Sequence, residues 1–171
     1  NTGLSADDMT SLTVVGDNAV DLSVVSSTAL ATVNLSGLED ANFTASFAAS
    51  TAGITVTANT STGNTGVYDI IGGASDDTIV GTKGIDTFTG GGGNDTYTLG
   101  AGADTVIITS AGADTITDFA VGASGDQIDI DISTVGAVIG GNALDDTTGQ
   151  AMSVEFITGQ ETLATGDNIL V

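Results

Sequence analysis

The chain has no cysteine, histidine, arginine, proline or tryptophan, and a single lysine, Lys83. Without cysteine there is no disulfide scaffold, no thiol nucleophile and no cysteine-ligated zinc. Without histidine the commonest general base and metal ligand is missing. One basic side chain cannot neutralise a phosphate backbone, so nucleic acid is excluded as a partner. No apolar run approaches the roughly 20 residues needed to span a bilayer, and membrane insertion is not expected. Paired carboxylates can hydrolyse glycosides, but the aromatic and basic residues that hold sugar are scarce, with two Tyr in the chain. Serine is abundant, yet no side chain is evident to activate it. The expectation is that the protein is not an enzyme.

What is present is acid. Twenty-two acidic side chains, nineteen of them Asp, give a formal net charge of -21 over 171 residues. Aspartate is the acid of turns and of calcium loops, so the bias points away from solvated helices. Strongly acidic chains are often disordered, but this one is 40% hydrophobic with a mean hydropathy of +0.31. It can bury a core if something neutralises the charge. The length suits one domain or one continuous solenoid.

The charge is arranged periodically. Residues 72–117 read GGASDDTIV, GTKGIDTFT, GGGGNDTYT, LGAGADTVI and, one residue out of step, TSAGADTIT. Asp77, Asp86, Asp95 and Asp104 recur every nine residues, and Asp114 follows after ten. Each is followed by Thr and then by Ile79, Phe88, Tyr97, Val106 or Ile116. A fixed period of this kind is read as stacked repeats. The unit is a glycine turn, an aspartate and a short strand that sends one large apolar side chain inward. Stacking should bury those side chains as a column. It also stacks carboxylates, which repel one another and cannot all stay ionised without a counter-charge. Lacking basic residues, the chain must take a metal, and carboxylate and carbonyl oxygens on flexible loops select Ca2+.

These units resemble the G-G-x-G-x-D-x-U-x nonapeptides of the RTX (repeats-in-toxin) proteins. GGGGNDTYT matches in full, whereas Ser75, Thr82, Leu99 and Ser110 depart from the glycine pattern. The resemblance implies an all-β, right-handed parallel β-helix or β-roll solenoid, two units to a coil, with Ca2+ held between loops two units apart. Carried over, Asp77 pairs with Asp95, Asp86 with Asp104, and Asp95 also with Asp114. Asp118 and Asp126 match the D-x-I-x-D-F-x-x-G-x-D-x-I-D segment that ends many RTX blocks, which implies further candidate ligands beside Asp104 and Asp114. Gly73, Gly84, Gly91, Gly93 and Gly102 supply the loop positions of the same metal sites.

Flanking segments complete the expected solenoid. Over residues 1–71, LTVVG, VDLSVV, ATVNLSG, NFTASF, GITVTA and VYDIIG read as strands between polar turns, and are taken as irregular parallel β-helix coils. A sandwich of the same strands remains open. Asp17, Asp21 and Asp40 read as turn residues, with an additional calcium site among them as the alternative. Residues 72–132 are the RTX calcium β-roll, closing on QIDID, where Asp129 and Asp131 form a solvated acidic face. Residues 133–171 are a polar loop with the Asp145–Asp146 pair, followed by capping strands SVEFIT and DNILV. The chain starts at Asn1 rather than Met and ends on an apolar strand, which reads as a piece of a longer protein. An acid followed by apolar residues at that end also resembles a type I secretion signal.

The function expected is structural: a calcium-ordered segment of a secreted bacterial surface-layer (S-layer) protein at the cell surface, which the Thr/Ala/Gly/Val-rich strands leading into RTX units resemble. Its main partner is then a further copy of itself, with cell-surface polysaccharide contacted through parts outside this chain. An RTX adhesin or biofilm-matrix module, and the C-terminal secretion and folding module of an exported enzyme, are the alternatives. Folding should depend on calcium, each filled site contributing roughly 1–3 kcal/mol when calcium exceeds Kd ten- to a hundredfold. Circular dichroism in chelator is expected to lose β-signal that millimolar calcium restores; identical spectra would contradict the metal reading.

Overall fold

A computed structural model describes residues 8–22, 25–110, 112–122, 125–131, 138–139, 142–143 and 152–153. Among these there is no helix, and hence none long and apolar enough to cross a membrane. The strands are β1 (Ser11–Gly16), β2 (Val20–Leu22), β3 (Thr32–Leu38), β4 (Phe43–Ser46), β5 (Thr55–Thr57), β6 (Tyr68–Ile71), β7 (Thr78–Val80), β8 (Thr87–Thr89), β9 (Thr96–Thr98), β10 (Thr105–Ile108), β11 (Thr115–Ile116) and β12 (Gln127–Ile130). Three more follow: β13 (Val138–Ile139), β14 (Asn142–Ala143) and β15 (Met152–Ser153). Each of the six strands read upstream of residue 72 has its counterpart in β1–β6. Asp21, however, lies inside β2 rather than in a turn.

Successive strands alternate between two sheets. One sheet runs β1-β3-β5-β7-β9-β11; the other runs β2-β4-β6-β8-β10-β12 and ends on β15. Pairing is parallel throughout β1–β12, while β15 joins β12 antiparallel and β13 pairs with β14 antiparallel. This is an all-β parallel solenoid of the β-roll kind, as the repeats require. The strands expected at SVEFIT and DNILV, and the Asp145–Asp146 loop, lie outside the described residues, apart from Ser153.

The two-sheet arrangement corrects one detail of the repeat reading. The inward apolar residues do not form one column, because neighbouring nonapeptides sit on opposite sheets. Ile79, Tyr97 and Ile116 stack on one side, and Ile70, Phe88 and Val106 on the other. The two columns meet across the interior, where the rings of Phe88 and Tyr97 stack with centroids 6.5 Å apart. Upstream, Phe43 and Tyr68 pack edge-on at 5.8 Å.

Coil size changes along the roll. Thr32 pairs with Thr55 and Thr55 with Thr78, steps of 23 residues, and Phe43 pairs with Tyr68, a step of 25. At Asp69↔Thr87, Thr78↔Thr96 and Thr87↔Thr105 the step is 18, two nonapeptides per coil, and it widens again to 19 at Thr96↔Thr115 and 22 at Thr105↔Gln127. The larger coils carry more inward side chains: Val25, Leu30, Val33, Leu35, Leu38, Phe43, Phe47, Ile54, Val56, Tyr68 and Ile70 are all buried. Each nonapeptide contributes little beyond its one apolar residue, so that residue should be costly to lose. Phe88→Ala is expected to destabilise the calcium-loaded protein by about 3–5 kcal/mol. Ile85→Ala, at a position 59% exposed, should stay within about 0.5 kcal/mol. Denaturant midpoints of the two variants check this.

Candidate metal centre

Every repeat aspartate occupies the residue immediately before its strand: Asp77 before β7, Asp86 before β8, Asp95 before β9, Asp104 before β10, Asp114 before β11 and Asp126 before β12. Parallel stacking therefore sets each carboxylate from Asp95 to Asp126 against the backbone of the aspartate one coil earlier. The N–H of Asp77 donates to Asp95 Oδ1 at 2.9 Å, and that of Asp86 to Asp104 Oδ1 at 2.7 Å. The N–H of Asp95 donates to Asp114 Oδ1 at 2.9 Å, and that of Asp104 to Asp126 Oδ1 at 3.0 Å. The structure thus brings together the three pairs that the family pattern implies, and sets Asp126 beside Asp104 as the closing segment of that pattern implies.

The ten-residue step before Asp114 does not break this order. Ile107 is still level with Thr89, whereas the Ser110 hydroxyl reaches the carbonyl of Gly91. The extra residue is taken up between those positions, so Thr115 and Ile116 return to register with Thr96 and Tyr97.

Asp118 is placed differently. It does not precede a strand; its Oδ1 accepts from the Leu99 N–H at 2.8 Å and its Oδ2 from the Gly100 N–H at 2.9 Å. In the turns of Asp77 and Asp86 the N–H four residues before the aspartate serves that aspartate's own second oxygen. Gly73 donates to Asp77 Oδ2 at 2.6 Å, and Thr82 to Asp86 Oδ2 at 2.7 Å. With the Gly100 N–H turned to Asp118, Asp104 Oδ2 is left buried and without a hydrogen-bond partner. Such a group has a high free-energy cost unless something electropositive reaches it.

The glycines bring backbone oxygens to the same columns. Gly91, Gly93 and Gly102 have φ of +102°, +111° and +148°, which side-chain-bearing residues rarely adopt. A Cβ at Gly91 would lie 2.1 Å from Gly73 O, and one at Gly102 2.2 Å from Gly84 O. Carbonyls of one coil therefore point into the turn of the next, through space that only glycine leaves open.

Asp77, Asp86, Asp95 and Asp104 are at most 2% exposed. Burial raises the pKa of all four, against hydrogen bonds that act to lower it. For Asp95, burial together with the charges of Asp114 and Asp77 pushes the value up to about 6. For Asp104, burial and the charges of Asp86, Asp126 and Asp118 also bring it to about 6. Asp40 is the contrast: an exposed turn residue with φ +44°, it accepts the N–H and hydroxyl of Thr65, which hold its carboxyl below the usual range.

These donors fit Ca2+. They are carboxylate and carbonyl oxygens only, in flexible turns with uncompensated negative charge. Among the described residues no three acidic side chains converge on one point, so carbonyl oxygens must complete any coordination shell. Sequence reasoning noted Thr82 and Leu99 only as departures from glycine. It missed that the Thr82 hydroxyl contacts Asp86, at 3.0 Å and 3.2 Å from the two carboxylate oxygens, and that the Leu99 N–H anchors Asp118.

A family model for the RTX calcium-binding nonapeptide repeat matches four copies at residues 71–106. No curated protein and no solved structure matches the chain. The matched repeats are Ca2+-binding units; Asp114, Asp118 and Asp126 lie beyond the match.

The raised pKa values fix the sign of the acid response without metal. A folded-state value of about 6 for Asp95 and Asp104 exceeds the unfolded value of about 3.9. The fold therefore holds protons that the unfolded chain releases. The stability they contribute is complete below about pH 4 and is lost as pH rises through about 6. In calcium-free buffer, acidification from pH 7.5 to pH 5 should therefore shift the repeats from coil toward the fold, raising both the β-signal and the melting temperature. Asp95→Asn, which keeps an acceptor for the Asp77 N–H but removes the charge, should flatten that rise. A melting temperature that falls on acidification would contradict the buried-carboxylate account.

Proposed function

We propose that this chain, whose residues 71–106 match RTX calcium-binding nonapeptide repeats, serves as a structural segment of a secreted bacterial S-layer lattice, ordered and assembled by extracellular calcium. The observation that carries this reading is the distribution of polar groups over the roll. On the outer face of the first sheet, Ser11, Thr32, Thr55, Thr78, Thr96 and Thr115 form an uncharged column of hydroxyls, one per coil. The buried carboxylates gather instead at the turns that join the sheets. A stiff rod with a neutral, regular face and acidic edges is suited to side-by-side packing once its edges are neutralised.

Calcium supplies that neutralisation. About five ions in the turns would cancel roughly ten units of charge. Exposed carboxylates such as Asp129 offer further points at which a divalent ion bridges two molecules, so repulsion turns to attraction at the calcium level that folds the chain. RTX repeat proteins are typically secreted bacterial proteins. Extracellular calcium modules bind at about 10⁻⁴–10⁻³ M, which suits a chain that orders outside the cell.

The same site argues against catalysis in this reading. Each stacked aspartate is spent on a backbone N–H of the coil before it. Contact with cell-surface polysaccharide is assigned to parts of the protein outside this chain. Light scattering during a calcium titration tests the assembly. Particle mass should grow at millimolar calcium, after the β-signal has formed. A folded protein that stays monomeric at high concentration would set the lattice aside in favour of an adhesin or secretion module.

A further inference from the structure

The turns of the roll are closed in two chemically different ways, and the change falls at a defined place. Along one edge, the residues that precede the strands stack as Ala31, Ile54, Asp77, Asp95 and Asp114. Along the other, Phe43 and Tyr68, the first residues of β4 and β6, stack in line with Asp86, Asp104 and Asp126. The carboxylate columns thus stop at Asp77 and Asp86. Below them the same places hold apolar side chains, with Ile54, Phe43 and Tyr68 buried and Ala31 half-buried, and the Ile54 and Tyr68 N–H groups donate to Asp77 Oδ1 and Asp86 Oδ1, each at 2.7 Å.

Four residues before these positions the chemistry changes in parallel. In the nonapeptide coils the place is held by glycine at Gly73, Gly91 and Gly100, and by Ser110 only at the last of them, before Asp114, where its hydroxyl reaches Gly91 O. Earlier it is held by Ser27 and Ser50 on one edge, and by Asn64 and Thr82 on the other, all at most 1% exposed. Each of these side chains ties down a backbone carbonyl. Ser27 Oγ donates to Met9 O at 2.7 Å, and Ser50 Oγ to Leu30 O at 2.9 Å. Asn64 Nδ2 donates to Asn59 O at 2.8 Å. Thr82 Oγ1 lies 2.7 Å from Gly66 O and 3.0 Å from Asp86 Oδ2, and accepts the Gly84 N–H at 2.9 Å. A hydroxyl stands there between carbonyl and carboxylate, in the space that a cation would need.

Upstream of Gly72 the described turns are therefore closed by the protein's own hydroxyl and amide groups. They contain no buried carboxylate, and most of the buried large apolar side chains lie there. We propose that β1–β6, sealed by the Thr82 turn, form a calcium-independent base that folds first and templates the calcium-dependent coils laid on it. The proposal rests on the calcium reading of the repeats and narrows it: the calcium requirement begins at the Asp77–Asp95 and Asp86–Asp104 layers.

Hydrogen–deuterium exchange of the full chain, followed by mass spectrometry in calcium-free buffer and in millimolar calcium, tests this. Amides of β3–β6 should be protected in both conditions. Amides of β8–β11 should exchange as coil without calcium and slow by roughly a hundredfold with it, the factor expected for calcium at a hundred times Kd. Loss of protection in β3–β6 together with β8–β11 on calcium removal overturns the base, while leaving calcium binding intact. Protection that ignores calcium everywhere overturns the division itself. Calcium titration of the same sample by calorimetry separates failure of the base from failure of calcium binding. Thr82→Gly supplies an independent check: it should weaken protection around Gly66–Tyr68 without calcium and add one calcium to the stoichiometry. Unchanged protection and stoichiometry would overturn the role given to Thr82.

Discussion

A hydrogen bond from the backbone of one aspartate to the side chain of another, one coil on, governs the calcium-bearing half of this protein. It is made by Asp77 to Asp95, Asp86 to Asp104, Asp95 to Asp114 and Asp104 to Asp126. The bond orders the coils, because it forms only when strand partners are level. It also draws each carboxylate out of water, where like charges raise one another's pKa. Structure and charge therefore cannot be separated: the contact that sets the register creates the demand for a cation.

Glycine and threonine divide the remaining work. Glycine at the turns admits the next coil's carbonyl at a distance that any side chain would block, as at Gly91 against Gly73 O and Gly102 against Gly84 O. Threonine after each aspartate begins a strand whose outward hydroxyl needs no partner and whose next residue fills the interior. A chain poor in large apolar residues can thus close a narrow roll, with metal doing at the turns what a wider core does elsewhere.

Much of this was legible in the residues. The period of nine fixed where each strand starts, and the Asp-Thr-apolar triplet fixed which side chain points inward. Short β-branched runs between polar turns located β1–β6 without any repeat. The pairing of Asp77 with Asp95 and of Asp86 with Asp104 required the family pattern, since spacing alone does not reveal that one coil takes two units. Other features depend on coil perimeter and were hidden. Asp21 reads as a turn residue until Val20 and Leu22 are seen paired with Phe43 and Ala45. Thr82 and Leu99 look like lapses from glycine; one proves to be a hydroxyl plug and the other a buried residue whose N–H reaches across a coil to Asp118.

Self-similar units carry a hazard that the irregular ones remove. An array of nonapeptides slid by 18 residues places aspartate over aspartate and aromatic over aliphatic nearly as well as before, so the repeats alone define a spacing but no origin. The 23- and 25-residue coils beneath them have no such symmetry. Ile54 and Tyr68 offer Asp77 and Asp86 one seat each, and Thr82 fits one carbonyl. At the far end, the extra residue before Asp114 and the detour of Asp118 mark a second unrepeatable point. The imperfect repeats are what index the perfect one, and an array made of GGGGNDTYT alone would be free to fold out of phase with itself.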